Sequence, residues 1–361
     1  MPAVATLHHF SLSRVFWRGL FLAALYLATP LVQAFEPPLE VPAMKSNRYS
    51  VSPMQAVARA GSRMVAVGLR GAILYSDDQG HNWTQANVPV SVDLVAVTFV
   101  GAKKGWAVGH GGVVLHSDDA GASWVKQLDG LQASKLAMDY YSARVGSLQG
   151  ASDYLAKEQR LSDGNETQPF LDVYFADEKR GYVVGTFNRI FMTQDGGRNW
   201  EPQMHLTNNA QEWHFYSVSG NGTQVYLSGE QGHVWRWDTV AGHFLSIDTP
   251  YNGTLFGVLS VDGDDLYAFG MRGSFFHSTD AGRTWERLTL PTGGSLMRVL
   301  LTEDRRLLVV SQSGEVSLGE PGAHAFKLLS LARPMPYYGA ALLDGHHLVL
   351  VGALGVRIES L

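Results

Sequence analysis

One segment recurs along this chain with a period close to 41 residues, and this repeat limits the possible folds more than any other feature. The first copy runs from Val67 to Trp83. Further copies begin at Val108, Val184, Ser228, Phe269, Val310 and Val351, the last of them truncated. A period near 40 with short apolar runs is typical of β-propeller blades, so seven copies predict a seven-bladed β-propeller.

Each repeat contains four short apolar segments separated by glycine and polar residues. In the second repeat they cover residues 94–99, 106–108, 113–116 and 124–128. Apolar and polar side chains alternate along these segments with a period of two, which indicates strands and not the helices of a solenoid. We therefore expect an all-β fold of four-stranded antiparallel blades, with many of the 39 glycines in tight turns.

The outer strand of the seventh blade is missing from the repeat pattern. Adding one period to Phe326 gives position 367, which lies beyond Leu361, and subtracting one period from Trp83 gives position 42. We therefore expect residues 41–46 to supply the closing strand of blade 7. Such a strand would join the two ends of the ring and leave no open sheet edge.

Four repeats carry the pattern Ser/Thr-x-Asp-x-Gly-x-x-Trp, which we call the Asp box. A short carboxylate can accept backbone N–H groups and fix a turn, glycine permits backbone angles that other residues resist, and tryptophan packs a large apolar face. These properties predict a structural role. The box residues are Ser76, Asp78, Gly80, Trp83, Ser117, Asp119, Gly121, Trp124, Thr193, Asp195, Gly197, Trp200, Ser278, Asp280, Gly282 and Trp285.

Two adjacent aspartate pairs could instead be acid/base groups or calcium ligands. They are Asp77–Asp78 and Asp118–Asp119. In each pair the second aspartate belongs to the Asp box and the first position varies between copies, which favours turn structure over catalysis. The chain also has no cysteine, which excludes disulfides and thiolate ligands. We expect no metal site and no cofactor.

The repeat as a whole resembles that of a known family. Gly105-Trp106-Ala107-Val108-Gly109, then Gly112-Val113-Val114-Leu115, then the Asp box, resemble the Asp-box (BNR) propellers and specifically the photosystem II stability/assembly factor family. The resemblance covers about residues 41–361 apart from one insertion. It implies a propeller that acts in protein-complex assembly without known catalysis and presents arginines on one face. Bacterial members occur outside photosynthesis, so it does not imply a photosynthetic role.

Sialidases share the Asp box and provide the alternative, a glycan-binding or glycoside hydrolase propeller. Their chemistry needs an arginine cluster, a tyrosine nucleophile and a partner acid, and an Arg-Ile-Pro-like motif stands near their start. No such motif occurs in residues 41–60, and Arg333-Pro334 lies far downstream. Nucleic acid is not an expected partner, since the net charge is -5.

The N-terminus has the pattern of a secretory signal. Arg14 and Arg18 precede an apolar run over residues 20–31, which is too short for the roughly 20 residues of a spanning helix. Val32-Gln33-Ala34 then offers small or apolar residues to a signal peptidase. We expect residues 1–34 to be a signal peptide cleaved near Ala34, and residues 35–361 to be a periplasmic or secreted propeller.

An insertion separates the second and third repeats. It adds 35 residues to the period, falls within residues 131–169, and shows apolar residues near helical spacing. The spaced residues are Leu136, Tyr140, Val145, Leu148 and Leu155. We expect one or two helices over or beside the central channel, acting either as a packing embellishment or as a docking element.

Candidate binding residues come from the turn between the second and third strands of each blade. This turn lies on the same face as the loops between blades, opposite the Asp boxes, and its residues vary between copies. The candidates are Arg70, His110, Arg189, Glu230 and Arg272. The leading hypothesis is an exported, non-enzymatic platform that binds an envelope or membrane protein; solvated turn residues without a partner are the alternative reading of these positions.

Overall fold

Seven antiparallel sheets form the blades of a β-propeller in this protein. A computed structural model describes Met1, residues 36–222 and residues 224–361, so the predicted signal peptide lies outside the described residues except for Met1. The described chain divides into two units, Met1–Pro37 and Pro38–Leu361, and all seven sheets belong to the second. The prediction of a seven-bladed propeller is confirmed.

The first four blades each contain four strands in sequential order. Blade 1 has β1 (Met54–Ala60), β2 (Arg63–Gly68), β3 (Ile73–Ser76) and β4 (Thr84–Gln85). Blade 2 has β5 (Leu94–Val100), β6 (Lys104–Gly109), β7 (Val114–Ser117) and β8 (Val125–Leu128). Blade 3 has β9 (Phe170–Phe175), β10 (Gly181–Gly185), β11 (Ile190–Thr193) and β12 (Glu201–Pro202). Blade 4 has β13 (Phe215–Asn221), β14 (Gln224–Gly229), β15 (His233–Asp238) and β16 (His243–Asp248).

The last three blades complete the ring, and blade 7 has three strands. Blade 5 has β17 (Leu255–Asp262), β18 (Asp265–Gly270), β19 (Phe275–Ser278) and β20 (Glu286–Arg287). Blade 6 has β21 (Leu296–Leu301), β22 (Leu307–Ser311), β23 (Val316–Gly319) and β24 (Lys327–Leu328). Blade 7 has β25 (Tyr337–Leu342), β26 (His347–Gly352) and β27 (Gly355–Ser360). The inner strands of successive blades adjoin one another, and β25 adjoins β1.

The prediction of a closing strand at residues 41–46 is wrong. This segment forms no strand and lies against the chain that leaves the outer strand of blade 1. Ala43 N donates to Val88 O at 3.1 Å, and Lys45 Nζ donates to Ala86 O at 2.9 Å. Leu39 and Ala43 pack into the apolar cluster between blades 1 and 2. Burial of these side chains, which the repeat period does not encode, decides the path of the segment.

Apolar packing, and not a shared strand, joins blade 7 to blade 1. Met54 and Val57 of blade 1 lie in one buried cluster with Val349 and Val351 of blade 7. The 3₁₀ turn Tyr49–Val51 lies against β27. The two ends of the ring therefore meet through side chains on the facing surfaces of neighbouring sheets.

Each Asp box is held by the same three hydrogen bonds. In blade 1, Ser76 Oγ donates to Asp78 Oδ1, while Gly80 N donates to Ser76 Oγ and Asn82 N donates to Asp78 Oδ1, all at 2.8 Å. Equivalent bonds occur in blades 2, 3 and 5. The donors from Asn82 and Ser76 lower the pKa of Asp78 to about 2.

We expect Asp78→Ala to lower the melting temperature at neutral pH, and the difference from wild type to shrink in acid. The unfolded-state pKa of aspartate is about 3.9, so the stabilisation by the ionised Asp78 is complete above that pH and is lost as the pH falls toward about 2. Calorimetry between neutral pH and pH ~2 measures this. Asp118→Ala is the control, because this exposed aspartate accepts no hydrogen bond from the described residues. A pH-independent difference would contradict the prediction.

The insertion forms a helical hairpin beside blade 3. The described residues contain two α-helices, α1 (Gly130–Ser142) and α2 (Ala151–Asp163). Asp129 and Gln132 form a capping box at the start of α1, which explains why the helix begins there. Helix α1 adjoins β12, the outer strand of blade 3, and no residue of either helix lines the central channel. The helices therefore pack against the outer strand of blade 3, and the predicted position over or beside the channel is not observed.

The buried face of α1 differs from the predicted apolar stripe. Ala133, Ala137 and Tyr141 are fully buried at helical spacing, whereas Leu136 is exposed. Small residues at this face let the helix approach blade 3 closely, and Tyr141 stacks on Tyr154 of α2 with ring centroids 4.9 Å apart. Among the described residues, no helix is long and apolar enough to cross a membrane.

Candidate functional site

The turns between second and third strands lie on one face of the ring, which we call the turn face. Asp93 belongs to the loop between blades 1 and 2, and it ties two of these turns to that loop. Its Oδ1 accepts the N–H of Arg70 at 2.8 Å, and its carbonyl oxygen accepts the N–H of His110 at 2.9 Å. The turns and the loops between blades therefore share this face, and the Asp boxes lie at the opposite ends of the strands.

Several turns on this face hold a large side chain in the left-handed backbone region. Arg70 has φ 55°, Phe187 φ 53°, Gln231 φ 55° and Arg272 φ 58°. A residue with a Cβ atom pays roughly 1–2 kcal/mol for this conformation, which glycine adopts readily. Glycine does occupy the same position in blade 2, as Gly111. Four blades thus keep a side chain at a position where glycine would cost less.

Three of the five predicted binding residues are exposed on the turn face. Arg70, His110 and Arg272 lie in the 3₁₀ turns of blades 1, 2 and 5, with their side chains in solvent. Glu230 is partly buried, and its Oε2 accepts the backbone N–H of His214 at 2.8 Å. Its carboxylate therefore organises the loop before blade 4.

Arg189 does not belong to this surface, so its assignment as a binding residue is wrong. Its side chain is 1% exposed, and Nη1 lies 2.9 and 3.1 Å from the two carboxylate oxygens of Glu158 on α2. Nη2 donates to Ser134 Oγ on α1 at 3.1 Å. The equivalent residues of blades 1 and 2, Ala72 and Val113, are also buried. Arg189 stands two positions past Phe187, the exposed tip of its turn, and anchors the helical hairpin.

A central channel of about 480 Å³ opens within the ring, and a repeated irregularity shapes it. Side chains of a regular inner strand point into the neighbouring blades, so few reach the channel. All seven inner strands contain a β-bulge at their second residue, which re-aims a side chain toward the channel. The bulged residues are Gln55, Val95, Leu171, Tyr216, Phe256, Met297 and Tyr338, and all line the channel.

Sequence reasoning missed this lining, although a signal was present. At the bulge a residue with a long or apolar side chain is followed in most blades by a small one, as in Tyr216-Ser217 and Tyr338-Gly339. Because the inner strands start beside the loops between blades, the bulged residues lie near the turn face. They form the mouth of the channel on the side that carries Arg70 and Arg272.

Two charged residues follow the bulges, one in blade 3 and one in blade 6. Asp172 accepts the backbone N–H groups of Val173 and Val218, each at 2.9 Å. Burial raises the pKa of Asp172, opposed by the positive charge of Arg298 and by these hydrogen bonds. Arg298 is the single arginine among the channel-lining residues that the structure describes. The three-arginine constellation of a sialidase is therefore not assembled there.

Comparisons with known proteins place this geometry in context. A family model described as photosynthesis system II assembly factor YCF48 matches residues 41–140 and 156–236. The unmatched residues between these two stretches fall in the helical hairpin. The photosystem II assembly lipoprotein Ycf48 of Synechococcus sp. (strain CC9902) is 25% identical over 161 residues, covering 44% of this chain and 48% of that protein.

A second curated relative gives a similar picture. The photosystem II assembly protein Ycf48 of Thermosynechococcus vestitus is 23% identical over 164 residues, covering 45% of this chain and 47% of that protein. The chain thus spans about half the length of the curated relatives it matches.

Two solved structures share the fold. A structure of YCF48 bound to a D1 peptide superposes with a TM-score of 0.63 at 14% identity, covering 89% of this chain and 99% of that one. YCF48 from Cyanidioschyzon merolae gives a TM-score of 0.61 at 15% identity, covering 86% and 95%. At these identities the likeness shows the fold.

Proposed function

Because this chain belongs to the photosynthesis system II assembly factor YCF48 family, we propose that it is a non-enzymatic propeller that binds a segment of an envelope or membrane protein during assembly. The binding surface is the turn face around the channel mouth. The protein acts after export, as the signal-like N-terminus and the lipoprotein names of relatives support.

The strained turns are the observation that carries this proposal. Arg70 and Arg272 are exposed, and Phe187 is 48% exposed, although each occupies a left-handed turn position that glycine would fill at lower cost. Such strain is concentrated where a side chain is needed for binding. Arginine and aromatic side chains are also those most enriched in the energetic centres of protein interfaces.

The chemistry of the face fits a protein segment with carboxylate and apolar groups. A guanidinium binds a carboxylate through paired hydrogen bonds, and Phe187, on blade 3 of the same face, offers an apolar contact. A similar propeller, YCF48, has been solved with a D1 peptide bound, which supports a peptide segment as the ligand class. Loops on a stiff strand scaffold are the usual place for such binding groups.

Replacing both turn arginines with glycine separates binding from folding. We expect Arg70→Gly with Arg272→Gly to keep the melting temperature or raise it slightly, because glycine relieves about 1 kcal/mol of left-handed strain at each position. Capture of membrane-protein partners from envelope extracts, quantified by mass spectrometry, should fall strongly. Capture should fall because the partner's carboxylates lose the two guanidinium groups that would pair with them.

Arg305→Gly is the matched control. Arg305 also has a left-handed backbone, at φ 64°, and is exposed, but it lies in the turn between the first and second strands of blade 6 on the opposite face. It should recover the same partners as wild type. If the double variant keeps full capture while folded, the turn face is not the binding surface.

A further inference from the structure

The channel mouth contains a guanidinium that the protein itself does not neutralise by contact. Arg298 follows the bulge of β21, is exposed in the channel, and forms no hydrogen bond or ion pair within the described part of the chain. Some arginines elsewhere are paired with aspartates, as the partly buried Arg63 is with Asp77 at 2.7 Å and the exposed Arg180 with Asp177 at 2.8 Å, whereas Arg298 is not.

The acid nearest in the channel does not fill this role. Asp172 is committed to the backbone N–H groups of Val173 and Val218, and it makes no ion pair with Arg298. A carboxylate that already accepts two backbone hydrogen bonds has less capacity for a bidentate arginine contact. Arg298 therefore remains able to bind a carboxylate from outside the protein.

Apolar side chains surround this guanidinium. Tyr216, Phe256, Met297 and Tyr338 line the mouth, and the rings of Tyr216 and Phe256 have centroids 5.6 Å apart. A partly enclosed site that combines several apolar side chains with one unpaired guanidinium selects a ligand with an apolar body and one negative charge. The ligand chemistry is thus a carboxylate flanked by an apolar group.

The turn arginines indicate how such a carboxylate would arrive. Arg70 on blade 1 and Arg272 on blade 5 stand on nearly opposite sides of the seven-bladed ring, with the channel between them. A segment that contacts both must cross the mouth, so it presents a side chain to the channel and not a chain end. The volume of about 480 Å³ suits one acidic side chain with an apolar neighbour and leaves little room for a folded loop.

We propose that Arg298 and the ring of bulged side chains form a pocket for the acidic side chain of an extended partner segment, with an apolar residue beside the acid. This proposal rests on the proposed function, because the segment is the one that crosses the turn face. The guanidinium sets the charge of the residue accepted, and the aromatic rim sets its apolar neighbour.

A pair of blocked peptides tests the pocket directly. The probe is a fluorescein-labelled, C-amidated peptide with leucine, glutamate and phenylalanine between glycine-serine flanks, and its twin carries glutamine for glutamate. By fluorescence anisotropy with the whole protein, we expect the glutamate peptide to bind about tenfold to a hundredfold more tightly, as loss of a charged hydrogen bond predicts. Arg298→Met should remove this preference, and Arg298→Lys should keep part of it.

Several results would overturn the proposal. One is equal affinity for the two peptides, and another is an unchanged preference for the glutamate peptide in Arg298→Met. The proposal also fails if binding that depends on Arg298 requires a free C-terminal carboxylate, or if 3-phenylpropionate binds as tightly as the glutamate peptide. Arg305→Met controls for the loss of one positive charge, and a melting curve checks that each variant is folded. The outcome is separate from that of the glycine variants, since a turn face that captures partners normally in Arg298→Met would leave the proposed function standing.

Discussion

Arg189→Met is expected to lower the free energy of unfolding by about 3–5 kcal/mol and to loosen the helical hairpin from blade 3. The variant leaves Glu158, which is 1% exposed, as a buried carboxylate without its cation. Methionine preserves much of the side-chain volume, so the loss reports the unpaired charge and not a cavity. Denaturant unfolding measures the stability, and hydrogen exchange over residues 130–163 measures the hairpin.

Two further variants identify the cause of this loss. The double variant Arg189→Met with Glu158→Met removes both charges and should recover a large part of the stability, because buried ion pairs often do no better than apolar side chains of similar volume. Lys135→Met breaks an exposed pair with Asp139 on α1 and should cost about 1 kcal/mol or less. If Arg189→Met costs no more than Lys135→Met, the buried pair does not anchor the hairpin.

The repeating part of the fold could be predicted because each blade meets the same local requirements. The segment predicted at residues 94–99 corresponds to β5 (Leu94–Val100), and the segment predicted at residues 124–128 corresponds to β8 (Val125–Leu128). Alternation, turn glycines and the Asp box act within one repeat, so one copy supports the interpretation of the next. The truncation of the seventh repeat likewise appears as a blade of three strands.

The errors concern segments whose environment is set by tertiary packing. The path of residues 41–46 depends on where Leu39 and Ala43 are buried, and a repeat period carries no information on that. The position of Arg189 beside a turn predicts a surface side chain, yet it stands two positions past the exposed Phe187 and its side chain is buried in the interior. A charged residue in that interior required Glu158, which lies 31 residues away.

The channel lining could not be predicted from the sequence for a different reason. A β-bulge adds one residue to one strand and leaves the apolar pattern of the strand almost unchanged, so periodicity does not reveal it. Arg298 reads in sequence as one polar residue within an apolar inner strand. Only the register between β21 and β22 shows that Met297 is the extra residue and that Arg298 follows it into the channel.

The second strand of most blades ends with a glycine, and the repeat period does not explain why this position needs glycine. Gly109 has an extended backbone at φ -178°, so any residue could adopt its conformation. A Cβ atom there, however, would overlap the carbonyl oxygen of Asp93 and come within 2.8 Å of the Leu94 Cα. The corresponding glycines of blades 3, 5 and 7 meet the carbonyls of Pro169, Thr254 and Pro336. Close approach to the bulged start of each inner strand therefore explains the motif.

We expect Gly109→Ala to lower the free energy of unfolding by about 3 kcal/mol, at the upper end for overpacked sites, because the obstructing atoms are backbone and cannot rotate away. The same carbonyl of Asp93 accepts the N–H of His110, and the Asp93 carboxylate accepts the N–H of Arg70, so the turn face should also be disturbed. Denaturant unfolding measures the first effect, and binding of the blocked glutamate peptide measures the second.

Gly293→Ala is the matched control for this substitution. No atom lies within 4 Å of a Cβ atom at Gly293, and its φ is outside the left-handed region, so the change should fall within about 0.5 kcal/mol of wild type. Blade 6 has Ser311 at the position of Gly109. In this blade the loop before the inner strand contains Gly293 and Gly294. A side chain at this position thus requires a different preceding loop. If Gly109→Ala is as stable as Gly293→Ala, the Asp93 loop can yield, and close approach is not the reason for the glycine.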